Sequence, residues 1–301
     1  MRVFLFGAGA MSCLFGARLA GVAEVTLLDS WEAAIEAIRR RGIIYEDAEG
    51  QREIRVGIER LDALLPPADL AIVFVKSWQT EAVAARIESC LHPHGAAVSL
   101  QNGLGNLEIL GPRALSGSTA VGATLVGPGH VRLGGNGPMH IAGPAWITDL
   151  LRQAGFEAVS CNPADAQSII WGKLVINCGI NALSALLRVP NGELLLRPDA
   201  AVLMSQAAME CAAVARAKGI PLPFPDAAVK VREVAKQTAE NRSSMLQDIL
   251  RGAPTECDAI NGAVAAEGKR LGVPAPVNEF LWRLMRSAAN RNGELCTSLK
   301  N

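Results

Sequence analysis

The chain is short of aromatic rings, of charge and of any charge bias. Of its 301 residues, 4% are aromatic and 19% charged, while 50% are hydrophobic. Its core must therefore come from alanine and branched aliphatic side chains rather than from rings. Lys plus Arg and Asp plus Glu are each 29. No basic excess argues for nucleic acid, and no lysine or arginine block marks an anionic membrane surface. The four histidines include His92-Pro93-His94. No cysteine or acidic cluster stands beside them, so this stretch reads as a loop and no metal site is expected. The seven cysteines are odd in number and lack a C-x-x-C spacing. They read as reduced cytoplasmic core residues, not as a disulfide or zinc framework. The apolar run of "MRVFLFGAGAM" is too short for a signal peptide and leads directly into a glycine turn.

What the chain does have is two kinds of periodicity in succession. "RVFLF", "AEVTLLD", "DLAIVFVK" and "GAAVSLQNG" read as strands, with helical patterns at "WEAAIEAIRRRG" and about 79–91 between them. "STAVGATLVG", "HVRLG", "MHIAG" and "EAVSC" read as further strands, and "AWITDLLRQAGF" as a short helix. Strands alternating with helices imply a mostly parallel, doubly wound α/β sheet. From Ala164 onward only helical periodicity remains, at about 164–187, 199–218, 225–240, 256–271 and 276–289. The expected division is a Rossmann-type dinucleotide-binding domain at 1–163 and an all-helical domain at 164–301.

The first chemistry-bearing motif is "GAGAMS", Gly7, Ala8, Gly9, Ala10, Met11 and Ser12, between the first strand and a helix. Gly7 allows the tight turn, Gly9 lets a pyrophosphate approach the backbone, and the helix start offers N–H groups and a positive dipole end. The third fingerprint glycine is replaced by Ser12, which is still small. Asp29 ends the second strand, 22 residues after Gly7. An acid there accepts hydrogen bonds from ribose hydroxyls and repels a 2′-phosphate, which favours NAD over NADP; the plainer role is a cap for the next helix. Lys76, beyond the strand "LAIVFV", could meet a 2′-phosphate or be a solvated strand end. Asn102 in "LQNG" ends another strand, where ligands bind on such sheets, and Asn-Gly also favours a turn.

The second motif is "IIWGKLVINCGINALSALL", 169–187. Lys173, Asn177, Asn181 and Ser184 fall on one stripe of a helix that is otherwise apolar. As a membrane span it would carry a costly central lysine. As a structural stripe it would need buried partners. As a ligand site it would need a carboxylate or a bound anion to offset Lys173. In "SSMLQDILRGAPTECDAINGAV", 243–264, Thr255 reads as an N-cap with Asp258 completing a capping-box variant. Glu256 then sits in the first helical turn, either favouring the dipole or supplying the carboxylate for Lys173.

Together "GAGAMS", "VKSWQT", "LQNGLGN", "WGKLVINCGINALSAL" and "SSMLQD…TECDAINGAV" resemble the ketopantoate reductase family over essentially the whole chain. The resemblance implies that Lys173 is the acid hydrogen-bonded to a keto oxygen. It implies that Asn177, Asn181 and Ser244 hold the substrate's hydroxyl and carboxylate, and that Asn102 lies near nicotinamide and substrate. Glu256 would lie beside the lysine, cofactor and substrate. The implied activity is NAD(P)H-dependent reduction of 2-dehydropantoate to pantoate, in pantothenate and coenzyme A synthesis. The rivals are a paralogue reducing another 2-oxo or 3-oxo acid and a nucleotide-binding regulator without turnover. Asp29 stands where NADP-dependent relatives more often carry arginine or a neutral residue. Family habit nevertheless tips the expectation to NADPH, with NADH as the alternative. The implied partners are a small 2-oxo acid and, compatibly, a second copy in a homodimer, with no nucleic acid and no membrane.

Overall fold

A computed structural model describes residues 1–288, which divide into two compact units. The first comprises Met1–Gln101 with Asn106–Ala166, the second Asn102–Gly105 with the chain from Gln167 on.

The first unit opens with β1 (Arg2–Phe6), α1 (Ala10–Leu19), β2 (Glu24–Asp29) and α2 (Glu32–Arg41), followed by β3 (Ile43–Asp47), β4 (Gly50–Ile54) and β5 (Gly57–Arg60). It continues with β6 (Ala68–Val73), α3 (Thr80–Cys90), β7 (Leu91–Ser99), α4 (Asn106–Leu110) and β8 (Ala114–Thr119). It closes with β9 (Gly122–Gly127), β10 (His130–Gly135), β11 (Met139–Ile141), α5 (Ala145–Gln153) and β12 (Ala158–Ser160). Eight strands form one sheet in the order β12-β11-β8-β7-β6-β1-β2-β5. All its pairings are parallel except β8 with β11. The central strand β1 is an unbroken apolar run because helices cover both its faces, and Val3, Phe4, Leu5 and Phe6 are buried. The doubly wound α/β class expected from the sequence is present.

A second sheet, β4-β3-β10-β9, was not expected. The sequence analysis left 43–60 unassigned, although "IIYED" and "REI" flank a glycine turn. The hairpin β3-β4 is local, but its partner β10 comes from some 85 residues later, with His130 opposite Ile44. His92, Pro93 and His94, expected in a loop, lie exposed in the first residues of β7. The strand reaches them because Leu91 pairs with Ala68 ahead of an irregularity in the β6-β7 register.

The second unit is helical: α6 (Pro163–Leu187), α7 (Pro198–Ala217), α8 (Ala227–Gln237), α9 (Ser244–Leu250), α10 (Ala263–Leu271) and α11 (Pro276–Ala288). Asp226 caps α8 by accepting from the Ala228 and Val229 N–H groups, and Ser243 caps α9 by accepting from Leu246. α6 is long and apolar enough to span a membrane by length and composition alone. It is a core helix here: Trp171, Leu174, Val175 and Cys178 are buried among α7 and its neighbours. Gly179 permits the closest approach, since a Cβ there would stand 2.8 Å from the Met204 carbonyl.

Two local expectations need correction. "SSMLQDIL" forms α9, which the helical pattern had not marked. Thr255 does not cap a helix. The chain enters instead a π-helical turn, Asp258–Gly262, preceded by Cys257 and without a side-chain cap. Glu256 therefore lies just before the helical turn, with its carbonyl accepting from Ile260. Residue 289, the expected end of the last helix, and the seventh cysteine, Cys296, lie outside the described residues.

Candidate active site

The glycine turn has the shape its sequence demands. Gly7 has φ +115°, a conformation that side chains rarely adopt, and any Cβ there would meet Ser12 Oγ at 3.0 Å. A Cβ on Gly9 would meet nothing within 4 Å, so open space adjoins the backbone just ahead of α1. The first-turn N–H groups of α1 have no intrahelical acceptors by geometry. This cradle fits the pyrophosphate of a dinucleotide. Ser12 is fully buried, and its hydroxyl has no hydrogen-bond partner among the described residues. The close helix–sheet approach usually served by a third glycine falls to Gly16, one turn later, where a Cβ would meet Leu27 and Ile43 at 3.0 Å. Sequence reasoning missed Gly16 because it lies outside the fingerprint spacing.

Asp29 ends β2, and backbone groups already hold its carboxylate. Oδ1 accepts from the N–H groups of Ser30 (2.6 Å) and Trp31 (2.8 Å), and Oδ2 accepts from Ala8 in the glycine turn. The residue thus ties the turn to the entry of α2. Opposite it in register stands Arg60 of β5, which pairs with Glu32 and lies 3.7 Å from Asp62. Lys76 follows β6, on the other side of β1 from β2, and precedes a short 3-10 turn.

The second unit gathers the remaining candidates. Lys173, Asn177 and Asn181 share a stripe of α6, and Ser184 continues it. Lys173 is half-buried. Burial pushes its ammonium down to about 8, and the carboxylate of Glu256 acts in the opposite sense. Glu256 is itself buried, 5% exposed, and its Oε2 accepts from Asn102 Nδ2 at 3.4 Å. Lys173, Glu256 and Asn102 therefore form one electrostatic group, drawn from three separate segments of sequence. The loop carrying Asn102 is held by Leu104 N–H donating to the Ala259 carbonyl at 2.9 Å. Gly103, φ +82°, passes so close to Ala259 that a Cβ would stand 2.5 Å from that carbonyl oxygen.

Asn181 is 5% exposed, and its Nδ2 meets no acceptor among the described residues. A buried amide donor without a partner costs about 1–3 kcal/mol unless a ligand supplies the acceptor. Ser184 Oγ donates to the Asn181 carbonyl (3.1 Å) and shares a hydroxyl–hydroxyl hydrogen bond with Ser243 Oγ (2.7 Å). That second bond ties α6 to the cap of α9, whose first residue is Ser244. A lysine held charged by a carboxylate, beside amide and hydroxyl donors, suits an oxygen that gains negative charge during a reaction.

Comparison with known proteins finds two family models along the chain. "Ketopantoate reductase PanE/ApbA" matches residues 3–145, and "Ketopantoate reductase PanE/ApbA C terminal" matches residues 165–289. A 2-dehydropantoate 2-reductase of Archaeoglobus fulgidus is 37% identical, across 95% of this chain and 97% of that one. The crystal structure of a PanE/ApbA family ketopantoate reductase from Ralstonia eutropha superimposes with a TM-score of 0.88 at 32% identity, covering 95% of this chain and 98% of that one. The ternary structure of D-mandelate dehydrogenase with NADH and anilino(oxo)acetate gives a TM-score of 0.89 at 28% identity, with the same coverage.

Proposed function

The chain belongs to the ketopantoate reductase family, and from that premise we propose that it reduces 2-dehydropantoate to pantoate, drawing on a nicotinamide dinucleotide. The observation that carries the reading is the group Lys173–Glu256–Asn102, with a buried donor of Asn181, unpartnered among the described residues, further along the same stripe of α6. When bound, the dihydronicotinamide supplies the hydride to the keto carbon. Lys173 supplies the proton to the oxygen, turning the ketone into a secondary alcohol. Glu256 keeps Lys173 charged against the cost of burial until that proton is needed. Asn181 and Ser244, with Asn177, hold the hydroxyl and carboxylate ends of the substrate without adding a competing charge. The glycine turn and the start of α1 hold the pyrophosphate. The reading includes a cytoplasmic location and is compatible with a homodimer.

Between the two forms of the cofactor, the surroundings of Asp29 favour NADH. Asp29 stands opposite Arg60 in register, and Glu32 and Asp62 already pair with that cation. A 2′-phosphate placed there would meet net negative charge. Lys76 and the family habit weigh toward NADPH. Glu32→Gln releases Arg60 without touching the glycine turn. It should tighten NADPH about three- to tenfold, as loss of one partly exposed charge implies, and leave NADH affinity unchanged. Titration calorimetry with each dinucleotide reads this directly, and a wild type that binds NADPH tenfold tighter than NADH would contradict it.

A second reading keeps the chemistry and changes the acid. The likeness to D-mandelate dehydrogenase favours a 2-oxo acid with a bulkier side chain. Initial rates with a panel of 2-oxo acids, including 2-dehydropantoate and phenylglyoxylate, decide between them. The proposal expects the highest kcat/KM on 2-dehydropantoate; a tenfold preference for another acid would replace the substrate.

A further inference from the structure

Two asparagines sit fully buried in the apolar interior of the helical unit, at 0% exposure, and neither belongs to the group assigned to substrate. Asn261 lies in the π-helical turn, in the "TECDAING" motif. Its Nδ2 donates to the carbonyl of Cys178 on α6 (3.1 Å) and to Asn278 Oδ1 (3.0 Å). Asn278, on α11, donates from its Nδ2 to the Ala207 carbonyl (2.9 Å) and to Glu210 Oε2 (2.8 Å) on α7. Glu210 also accepts from the backbone N–H groups of Val277 and Asn278. One chain of hydrogen bonds therefore joins α7, α11, the π-helical turn and α6.

Such a network gains little over well-packed leucines, because every polar group in it must first leave water. What it does achieve is a single fixed geometry for an unusual turn. In that turn Gly262 N–H donates to the Cys257 carbonyl, one residue further back than in an α-helix. Gly262 cannot carry a side chain, since a Cβ would lie 2.8 Å from the Trp282 ring, and that ring's N–H donates to Asp258 at 2.5 Å. The same short segment begins with Glu256, presents the Ala259 carbonyl that holds the Asn102 loop, and ends with Asn261 anchored on α6. Cys178 follows Asn177 directly on the helix of Lys173.

We propose that Asn261 is a positioning residue: its bond to the Cys178 carbonyl locks the π-helical turn onto α6, and so sets Glu256 against Lys173 and Asn102 against Glu256. Asn261 touches neither substrate nor cofactor. It acts by fixing the separation on which the lysine's charge depends. The inference rests on the reading of Lys173 as the acid.

The test compares the full-length wild type with Asn261→Leu and Asn261→Asp, which remove the two donors at similar volume. The readouts are thermal unfolding, dinucleotide affinity, the kcat against KM split, and the pH dependence of kcat/KM. The expected result is a folded variant with wild-type NADH affinity and little change in KM. Its kcat should fall about ten- to a hundredfold, as small misplacements of reacting groups cause. Its alkaline limb should move to lower pH, because Glu256 no longer supports the ammonium. Folded variants with the limb in the wild-type place and kcat within about twofold of wild type would overturn the proposal; that margin is far smaller than the effect of a misplaced group. If neither variant folds, the network is a folding device and the proposal falls. Lys173→Ala separates the two readings. If the limb persists without Lys173, the acid assignment fails. If the limb depends on Lys173 yet ignores Asn261, only the positioning role fails.

Discussion

At the scale of the residue, the decisive feature is a lysine whose surroundings pull it in two directions. Burial lowers Lys173 to about 8, below its ordinary 10.5, and Glu256 opposes that fall. In the proposed mechanism the protonated form donates, so kcat/KM should hold at lower pH and decline as pH rises through about 8. Glu256→Gln removes the opposing charge and should shift that decline to lower pH, by about one unit for a carboxylate in this range. A pH–rate profile that stays in place would free Glu256 from this role. Asn181 supplies a second prediction. On the proposed reading its Nδ2, without an acceptor among the described residues, meets one when substrate binds, in the ground state and the transition state alike. Asn181→Ala should therefore raise KM about tenfold or more and spare kcat. Steady-state kinetics read this, and an unchanged KM would return Asn181 to a structural role. The stripe itself was legible in sequence, because four-residue spacing survives any packing. The pairing of Lys173 with Glu256 was legible only as one of two roles open to Glu256, since 83 residues separate them and the family resemblance alone set them side by side. Asn261 was quoted in a motif and still unreadable, because its partner is a backbone carbonyl on another helix.

At the scale of the element, sequence pattern succeeded where periodicity is local and failed where pairing is remote. The strands β1, β2 and β6 announce themselves as apolar runs between glycine and polar breaks. In the second sheet β9 and β10 were read as strands and β3 and β4 were not, and the sheet itself stayed hidden because β3 pairs with β10 across distant sequence. The π-helical turn was read as an ordinary capped helix start, since Thr-x-x-Asp satisfies that pattern on paper. Element junctions also carry the acid sensitivity. Glu267 of α10 accepts from Arg270 on its own helix and from Lys218 at the end of α7, and these bonds hold its carboxyl down at about 2. Its folded value lies below the ordinary 4.5, so its contribution is full above that pH and is lost as pH falls toward 2. Glu267→Gln should cost about 1 kcal/mol at pH 7, discounted for the exposed partners, and nothing at pH 2. Chemical denaturation at the two pH values checks it.

At the scale of the whole molecule, the described residues form two compact units: one carries a glycine turn on a mostly parallel sheet, the other a polar stripe in an apolar helical body. Composition pointed to an aliphatic core, and the described core is indeed dominated by Val, Leu, Ile and Ala. The four residues Asn102–Gly105 are the exception to a simple division by sequence. They belong with the helical unit because Leu104 and Gly103 dock on Ala259. No composition shift marks them, since a four-residue excursion leaves no periodicity to detect. The central claim is that this chain reduces 2-dehydropantoate and that Lys173 is the acid. The most direct measurement mixes the purified protein with 2-dehydropantoate and either reduced nicotinamide dinucleotide. It follows the loss of dihydronicotinamide absorbance and the appearance of pantoate, for wild type and Lys173→Ala. The account predicts pantoate from the wild type, and a variant that still binds dinucleotide while its kcat falls about a hundredfold or more. No pantoate with either dinucleotide, or a variant with wild-type kcat, would contradict it.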